Sequence, residues 1–267
     1  SFHINQIRQA MIGGIQLDHF YVIKFNRKRR YIAIGIVALF LAGVFLIQVN
    51  KASWGNATDE VAFTKGSVEE PSVALTFNIS WGDERVYGIL ETLKKEEATA
   101  TFFLSGEWAE RHPAIIEKIA EDGHEIGMLG YRYKSYLEQD IEDVRRDLFL
   151  AQEVFERLGF ENLNLLRTPS GHFNEDVIEL AQSMGFEVVH WNINPNDWEN
   201  PGTEQIVDHV MKNASNGDII LMHASDSAKQ TANALETIIP GLKSKGLQFV
   251  PISEMMSQAH TDIELIE

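Results

Sequence analysis

Residues 73–127 read VALTFNISWGDERVYGILETLKKEEATATFFLSGEWAERHPAIIEKIAEDGHEIG. Val73–Phe77 is a short, fully apolar-type run, and Arg85–Lys95 follows with helical spacing. Thr99–Leu104 is a second strand-like run. Pro113–Glu121 places Ile115, Ile116, Ile119 and Ala120 on one side of a helix that Gly123 stops. Glu125–Gly127 is a third short strand. Strand, helix, strand, helix, strand is the rhythm of parallel βα units, because a parallel partner needs a crossover and the crossover is usually a helix.

The same rhythm continues to the carboxyl end. Ile141, Val144, Leu148, Ala151, Phe155 and Leu158 mark one stripe of a long helix closed by Gly159. Strands are expected at Leu163–Leu166, Glu187–His190, Asp218–Met222 and Gln248–Val250. Helices are expected at Glu175–Met184, capped by Asn174, and at Thr203–Asn213 and Thr231–Lys245. The fold class is therefore α/β, a distorted (β/α) barrel of about seven units, with an open doubly wound sheet as the alternative.

Working toward the amino end, residues 50–70 are polar and rich in small side chains, which suits a linker. Tyr31–Val49 (YIAIGIVALFLAGVFLIQV) carries no charge, and Lys24, Arg27, Lys28, Arg29 and Arg30 precede it. Such a run, at ~1.5 Å per residue, nearly spans a bilayer core of ~30 Å, and basic flanks stay on the cytoplasmic side. One transmembrane anchor is expected at 31–49, with a cytoplasmic tail at 1–30 and the folded domain, 71–267, outside the cell membrane. A cleaved signal peptide is the alternative. Residues 1–16 give no clear fold signal.

The whole chain holds 23 basic and 39 acidic residues, and six of the basic ones but one acid (Asp18) fall before residue 51. The remainder, 17 basic against 38 acidic, is net −21. A surface that acidic repels nucleic acid and anionic lipid, so a neutral or cationic polymer is the easier partner. There is no cysteine, which excludes disulfides, thiolate metal sites and cysteine nucleophiles.

In a βα barrel, chemistry sits where strands end. Those positions carry Thr76-Phe77-Asn78-Ile79-Ser80, His124 to Tyr133 (HEIGMLGYRY), Arg167-Thr168-Pro169-Ser170-Gly171, Asn194 to Trp198 (NPNDW), and Leu221-Met222-His223. In order and spacing they resemble the five motifs of the NodB-homology polysaccharide deacetylases, carbohydrate esterase family 4. The phrases Ser80-Trp81-Gly82-Asp83 and His223 to Thr231 are most similar to the sporulation branch typified by PdaB.

The resemblance implies removal of N-acetyl or O-acetyl groups from cell-wall or spore glycan such as peptidoglycan. In the family pattern one Asp is the general base. A second Asp and two His hold a divalent metal, commonly zinc, and a last His is the general acid. Here the base position holds Asn78, and the metal positions hold Ile79, Leu129 and Tyr133. Ile79 and Leu129 have no lone pairs, and a phenol titrating near ~10 is a poor ligand at neutral pH. No metal is expected. His223, Arg167 and Asp197 are the surviving candidates for catalytic roles, with Trp198, Trp81 and Tyr131 lining a substrate groove. Aromatic packing at the barrel end explains Trp81, Trp191 and Trp198 equally well.

Other candidates have plainer readings. Asp83 is expected to cap the helix that follows Gly82, His124 to pack at a strand start, His172 to lie on a loop surface, and His190 to be a satisfied core residue. Three functions remain open: a glycan deacetylase or altered hydrolase, a family member that binds glycan without turnover, and a structural domain without ligand.

Overall fold

The computed structural model describes residues 62–264. The expected tail, the expected anchor and most of the expected linker lie outside the described residues. Among those described, no helix is long and apolar enough to cross a membrane.

The elements run β1 (Ser72–Ile79), α1 (Arg85–Lys95), β2 (Thr101–Leu104), α2 (Gly106–Ala109), α3 (Pro113–Glu121), β3 (Glu125–Met128) and α4 (Ile141–Arg157). They continue as β4 (Leu165–Leu166), α5 (Glu175–Ser183), β5 (Glu187–Val188), α6 (Thr203–Asn213), β6 (Ile219–His223), α7 (Thr231–Ser244), β7 (Gln248–Phe249) and α8 (Ile252–Glu264). Every strand pair is parallel, in the order β5-β4-β3-β2-β1-β6, and β7 pairs with the start of β1.

The central strand shows why the sheet is buried on both faces. All of β1 is buried. Val73, Leu75, Phe77 and Ile79 join the large apolar cluster beneath the helices. Ala74 joins a second, smaller cluster with Phe103, Leu129, Leu165, Val189, Ile219, Ile252 and Met255, which fills the barrel interior. Successive side chains of a strand point to opposite faces, so Thr76 and Asn78 also point inward. On the outer face Phe77 stacks on Phe102 with ring centroids 5.0 Å apart, and truncating such a core aromatic costs about 3–5 kcal/mol. On the inner face a Cβ at Gly127 would lie 2.7 Å from the Phe103 ring. The glycine is what lets that ring occupy the barrel interior.

The sheet closes irregularly. After β5 the chain reaches Ile193, which bridges in parallel to Ile220 of β6. Leu221 donates its N–H to the Ile193 carbonyl at 2.8 Å. The Asn192 side chain supplies what the short strand lacks: its Oδ1 accepts from the Ile219 N–H at 2.8 Å and its Nδ2 donates to Asp218 at 2.6 Å.

Two expectations at the ends of the domain need correction. The linker expected over 50–70 is already part of the fold by Phe63, which bridges to Val189, and Lys65 pairs with Asp218 at 2.8 Å. Helix α8 was not expected; its Ile252 and Met255 close the strand-start end of the barrel. A third correction concerns α1. Asp83 does not cap it. The Asp226 carboxylate, from the loop after β6, accepts the N–H groups of Asp83, Glu84 and Arg85 at 3.2, 3.0 and 2.9 Å. This answers the unpaired donors that every helix start leaves.

Candidate functional site

Strands β1 and β6 place Asn78 directly opposite His223 in register. Both side chains stand at the carboxyl ends of adjacent parallel strands, the face where barrels carry chemistry. Arg167, directly after β4, points into the barrel and has no solvent exposure. Its guanidinium donates to Thr76 Oγ1 at 2.9 Å, Asn78 Oδ1 at 3.1 Å, the Val189 carbonyl at 3.3 Å and the His190 carbonyl at 3.0 Å. It lies 4.1 Å from the centre of the Phe103 ring and 5.3 Å from that of Trp191. Every one of these acceptors is uncharged. Burial without a carboxylate pulls the guanidinium down to about 9, so it stays charged at pH 7.

This geometry fixes the Asn78 amide. Arginine only donates, so the atom facing it must be the amide oxygen. The Nδ2–H2 group then faces away from Arg167. An aspartate here would be an acceptor on both oxygens; the asparagine turns one side of the position into a donor.

His223 is oriented by Asp197. Its Nδ1 lies 2.8 Å from Asp197 Oδ1, and its backbone N–H donates to Asp197 Oδ2 at 2.8 Å. Thr231 donates its hydroxyl to the same Oδ2 at 2.6 Å. Asp197 is fully buried, and the His223 side chain keeps 13% of its exposure. An anionic acceptor at Nδ1 holds the neutral imidazole in the tautomer with its lone pair on Nε2. The turn that presents Asp197 and Trp198 is a single 3-10 turn, Asp197–Glu199, between Asn196 and Asn200, both left-handed with φ of 52° and 55°. Asparagine is among the few residues that tolerate that region.

Two of the three positions that resemble metal sites hold aliphatic side chains. Ile79 is fully buried in the large outer cluster and Leu129 is fully buried in the barrel interior. Tyr133 is largely exposed on the loop after β3 and is near enough to act on the charge of Arg167. Among the described residues, no three His, Asp or Glu side chains converge in a way that would hold a metal ion.

Two tryptophans flank the mouth. Trp81 is 62% exposed and Trp198 49% exposed, yet the loops that carry them are tied down. The Ser80 N–H donates to Ser225 Oγ at 3.2 Å, and the Trp108 indole donates to the Gly82 carbonyl at 2.6 Å. Gly82 has φ of 79°, and a Cβ there would meet the Asp226 carboxyl at 2.2 Å. Asn200 donates to the Ser227 carbonyl at 2.8 Å and accepts from the Lys229 N–H at 2.9 Å. The loop from Ser225 to Lys229 thus positions both exposed rings.

The remaining expected residues fall elsewhere. Tyr131 is no groove residue: its ring packs against the outer core and its hydroxyl donates to Glu110 at 3.0 Å, with Asp147 holding its backbone at 2.8 Å. Trp191 is a packing residue, stacked on His190 at 3.8 Å. His190 is only half-buried, beyond the end of the shorter-than-expected β5. His172 is exposed, 3.1 Å from Ser135 Oγ. His124 is buried with both ring nitrogens unpartnered, and burial lowers its pKa. A groove of about 400 Å3 beside it, lined by Phe160, Leu163 and Leu165, opens at the strand-start side and touches none of the residues at the mouth.

Comparison with known proteins decides the family. The family model for polysaccharide deacetylase matches residues 65–189. A peptidoglycan-N-acetylglucosamine deacetylase of Bacillus cereus is 35% identical over 194 residues, covering 72% of this chain and 91% of that protein. The chain belongs to the polysaccharide deacetylase family. A crystal structure of a peptidoglycan N-acetylglucosamine deacetylase superposes with a TM-score of 0.70 at 31% identity, covering 73% of this chain and 92% of that one. A Bacillus anthracis protein described as a pseudoenzyme of carbohydrate esterase family 4 superposes with a TM-score of 0.70 at 28% identity, covering 74% of this chain and 69% of that one. A mutant of it described as having restored enzymatic activity aligns with the same TM-score and identity, covering 74% of this chain and 72% of that one.

In this member of the family the informative surprises are the residues that sequence reading passed over. Thr76 and Thr231 complete the hydrogen bonding of Arg167 and Asp197, and Asp226 fixes the Trp81 loop. Thr231 and Asp226 lie within the stretch from His223 to Thr231 that carried the resemblance; Thr76 lies two residues before Asn78. Nothing local marks what any of the three would touch.

Proposed function

We propose that this protein binds cell-wall glycan in a family-type cleft and does not perform the family's metal-dependent N-deacetylation. The observation that carries the reading is a contrast between neighbouring positions. Ile79 and Leu129 stand in apolar packing where donors to a cation are needed, and Asn78 stands where a base is needed. Beside them the His223–Asp197–Thr231 network and the two anchored, exposed tryptophans are intact. Without a metal, the lowering of a bound water's pKa to ~7 is lost, which withholds on the order of 10 kcal/mol from hydroxide formation at neutral pH. A single general acid, worth ~10²–10⁴-fold, does not replace that for an amide.

The flat faces of Trp81 and Trp198 suit the apolar faces of pyranose rings, and holding the rings in place beforehand reduces the entropic cost of binding. The net charge of −21 over residues 51–267 favours a neutral or partly deacetylated, cationic glycan over an anionic polymer. The apolar run 31–49 and its basic flank support a tethered protein with this domain outside the cell membrane. A role in sporulation rests on the phrases around Trp81 and His223.

The test is calorimetric binding of chitopentaose and of solubilised peptidoglycan to the full chain, with acetate release followed in parallel both with added zinc and in excess chelator. Binding without acetate release from N-acetyl groups is expected, and Trp81→Ala should weaken it about tenfold with little effect on stability, since the side chain is mostly exposed. Zinc-dependent acetate release, or no glycan binding, overturns the reading.

A further inference from the structure

We propose that α4 is a docking surface for a second copy of this chain, the two helices pairing antiparallel about a two-fold axis between Phe149 and Leu150. The helix has two unlike faces. Val144, Asp147, Leu148, Ala151, Val154 and Phe155 are buried, where α4 packs on α2 and α5. On the opposite side Glu142, Arg146, Phe149, Leu150, Glu153 and Arg157 are all exposed. At about 3.6 residues per turn these fall within roughly 100° of one another around the helix. The solvent face of a surface helix is normally polar. Here two adjacent large apolar side chains stand at its midpoint, Phe149 54% and Leu150 37% exposed.

The charges on either side of that midpoint are self-complementary. Glu142 and Arg157 lie equally far from it, and so do Arg146 and Glu153. A two-fold interface sets residue i against j and j against i. An antiparallel pair therefore places Arg146 of each copy opposite Glu153 of the other and Glu142 opposite Arg157, while Phe149 and Leu150 pack around the axis. The one like-signed match, Asp143 with Glu156, falls on opposite edges of the face. The patch is also nearly neutral. Glu142, Asp143, Glu153 and Glu156 against Arg145, Arg146 and Arg157 make net −1, where residues 51–267 carry −21. Contact there brings together little like charge. Within one chain Arg145 pairs with Glu142 at 3.3 Å, Arg146 with Asp143 at 3.4 Å and Arg157 with Glu110 at 3.8 Å. These are surface pairs, worth little and exchanged for others at small cost. Glu153 has no ion-pair partner among the described residues. A single helix pair buries less than the ~1,200–2,000 Å2 of stable interfaces, so the dimer is weak and reversible. Its affinity comes from the two apolar side chains and its register from the charges.

The test is sedimentation equilibrium of the full chain in mild detergent, from micromolar to millimolar concentration. A monomer–dimer equilibrium is expected for the wild-type chain. Arg146→Glu and Glu153→Arg should each weaken it about tenfold, since each sets like charges against one another twice per dimer. Phe149→Ala should weaken it by about the same factor. An equimolar mixture of the Arg146→Glu and Glu153→Arg chains should dimerise as the wild type does, because both contacts again join opposite signs. Mixing alters nothing within either chain, so this recovery separates contact between copies from ion pairing inside one helix. The positions are exposed, and the melting temperature of each variant checks that it is folded. A wild-type chain that stays monomeric throughout the range overturns the proposal. A dimer that the charge reversals leave unchanged, or that mixing does not restore, overturns α4 as its interface.

Discussion

Asn78→Asp is expected to stabilise the folded protein, an uncommon outcome for a buried mutation to a charged residue. Arg167 is fully buried and meets only neutral acceptors, and burial pulls its pKa down to about 9, which weakens its preference for the charged form. A carboxylate oxygen in place of Asn78 Oδ1 would lie 3.1 Å from Nη1. With charge centres roughly 4 Å apart and an effective dielectric near 20, the attraction is about 4 kcal/mol. Burying the carboxylate takes back much of that, since desolvation costs several kcal/mol per ion. The net is about 1 kcal/mol in favour of the variant at pH 7, or roughly 2–4 °C in melting temperature for a domain of this size. The sign of the pH dependence follows. The new carboxyl has its pKa lowered by the guanidinium, so its contribution is complete above its ordinary value near ~3.9 and is lost as pH falls through the folded value. Urea unfolding of both proteins at pH 7 and pH 3 is the assay. A variant less stable than wild type by more than about 1 kcal/mol at pH 7 would refute the claim that Arg167 is a cation short of an anion.

Two further outcomes follow from the same structure. His124 is buried with no partner for either ring nitrogen, and burial lowers its pKa from 6.5. The unfolded chain therefore takes up the proton first, and stability should decline as pH falls from 6.5 toward the folded value; His124→Leu should flatten that part of a stability–pH profile, and an unchanged slope would place the proton elsewhere. Asp226→Ala removes the acceptor for three backbone N–H groups at the start of α1 and should cost about 1–2 kcal/mol in urea unfolding. The same change should weaken glycan binding, because it releases the Trp81 loop.

The parts of the fold legible in the sequence are those whose signal is local. Arg85–Lys95, Pro113–Glu121 and Thr203–Asn213 form the helices their apolar spacing requires, and Asn174 caps α5 by accepting the Val177 N–H at 3.0 Å. Strands β4 and β5 are shorter than their apolar runs suggest, since Leu163 and Val189 are apolar for packing reasons without extending the strands. What escaped reading is long-range. Asp83 sits where a cap belongs, but the cap comes from Asp226, 143 residues away in sequence. Tyr131 neighbours the family's second motif, but Asp147 and Glu110 turn it to the outer layer. Phe63 and Lys65 look like linker because edge pairing with Val189 and Asp218 leaves no periodic trace. At the mouth, the pairing of His223 with Asp197 could be anticipated from the motifs. The orientation of Asn78 depends on Arg167, a contact across 89 residues.

Zinc content of the full chain, measured after equilibrium dialysis against micromolar zinc, bears most directly on whether hydrocarbon has displaced the cation site. Far less than one zinc per chain is the expected result, with no change in stability between zinc and chelator. One tightly held zinc per chain, released together with a drop in stability, would contradict it.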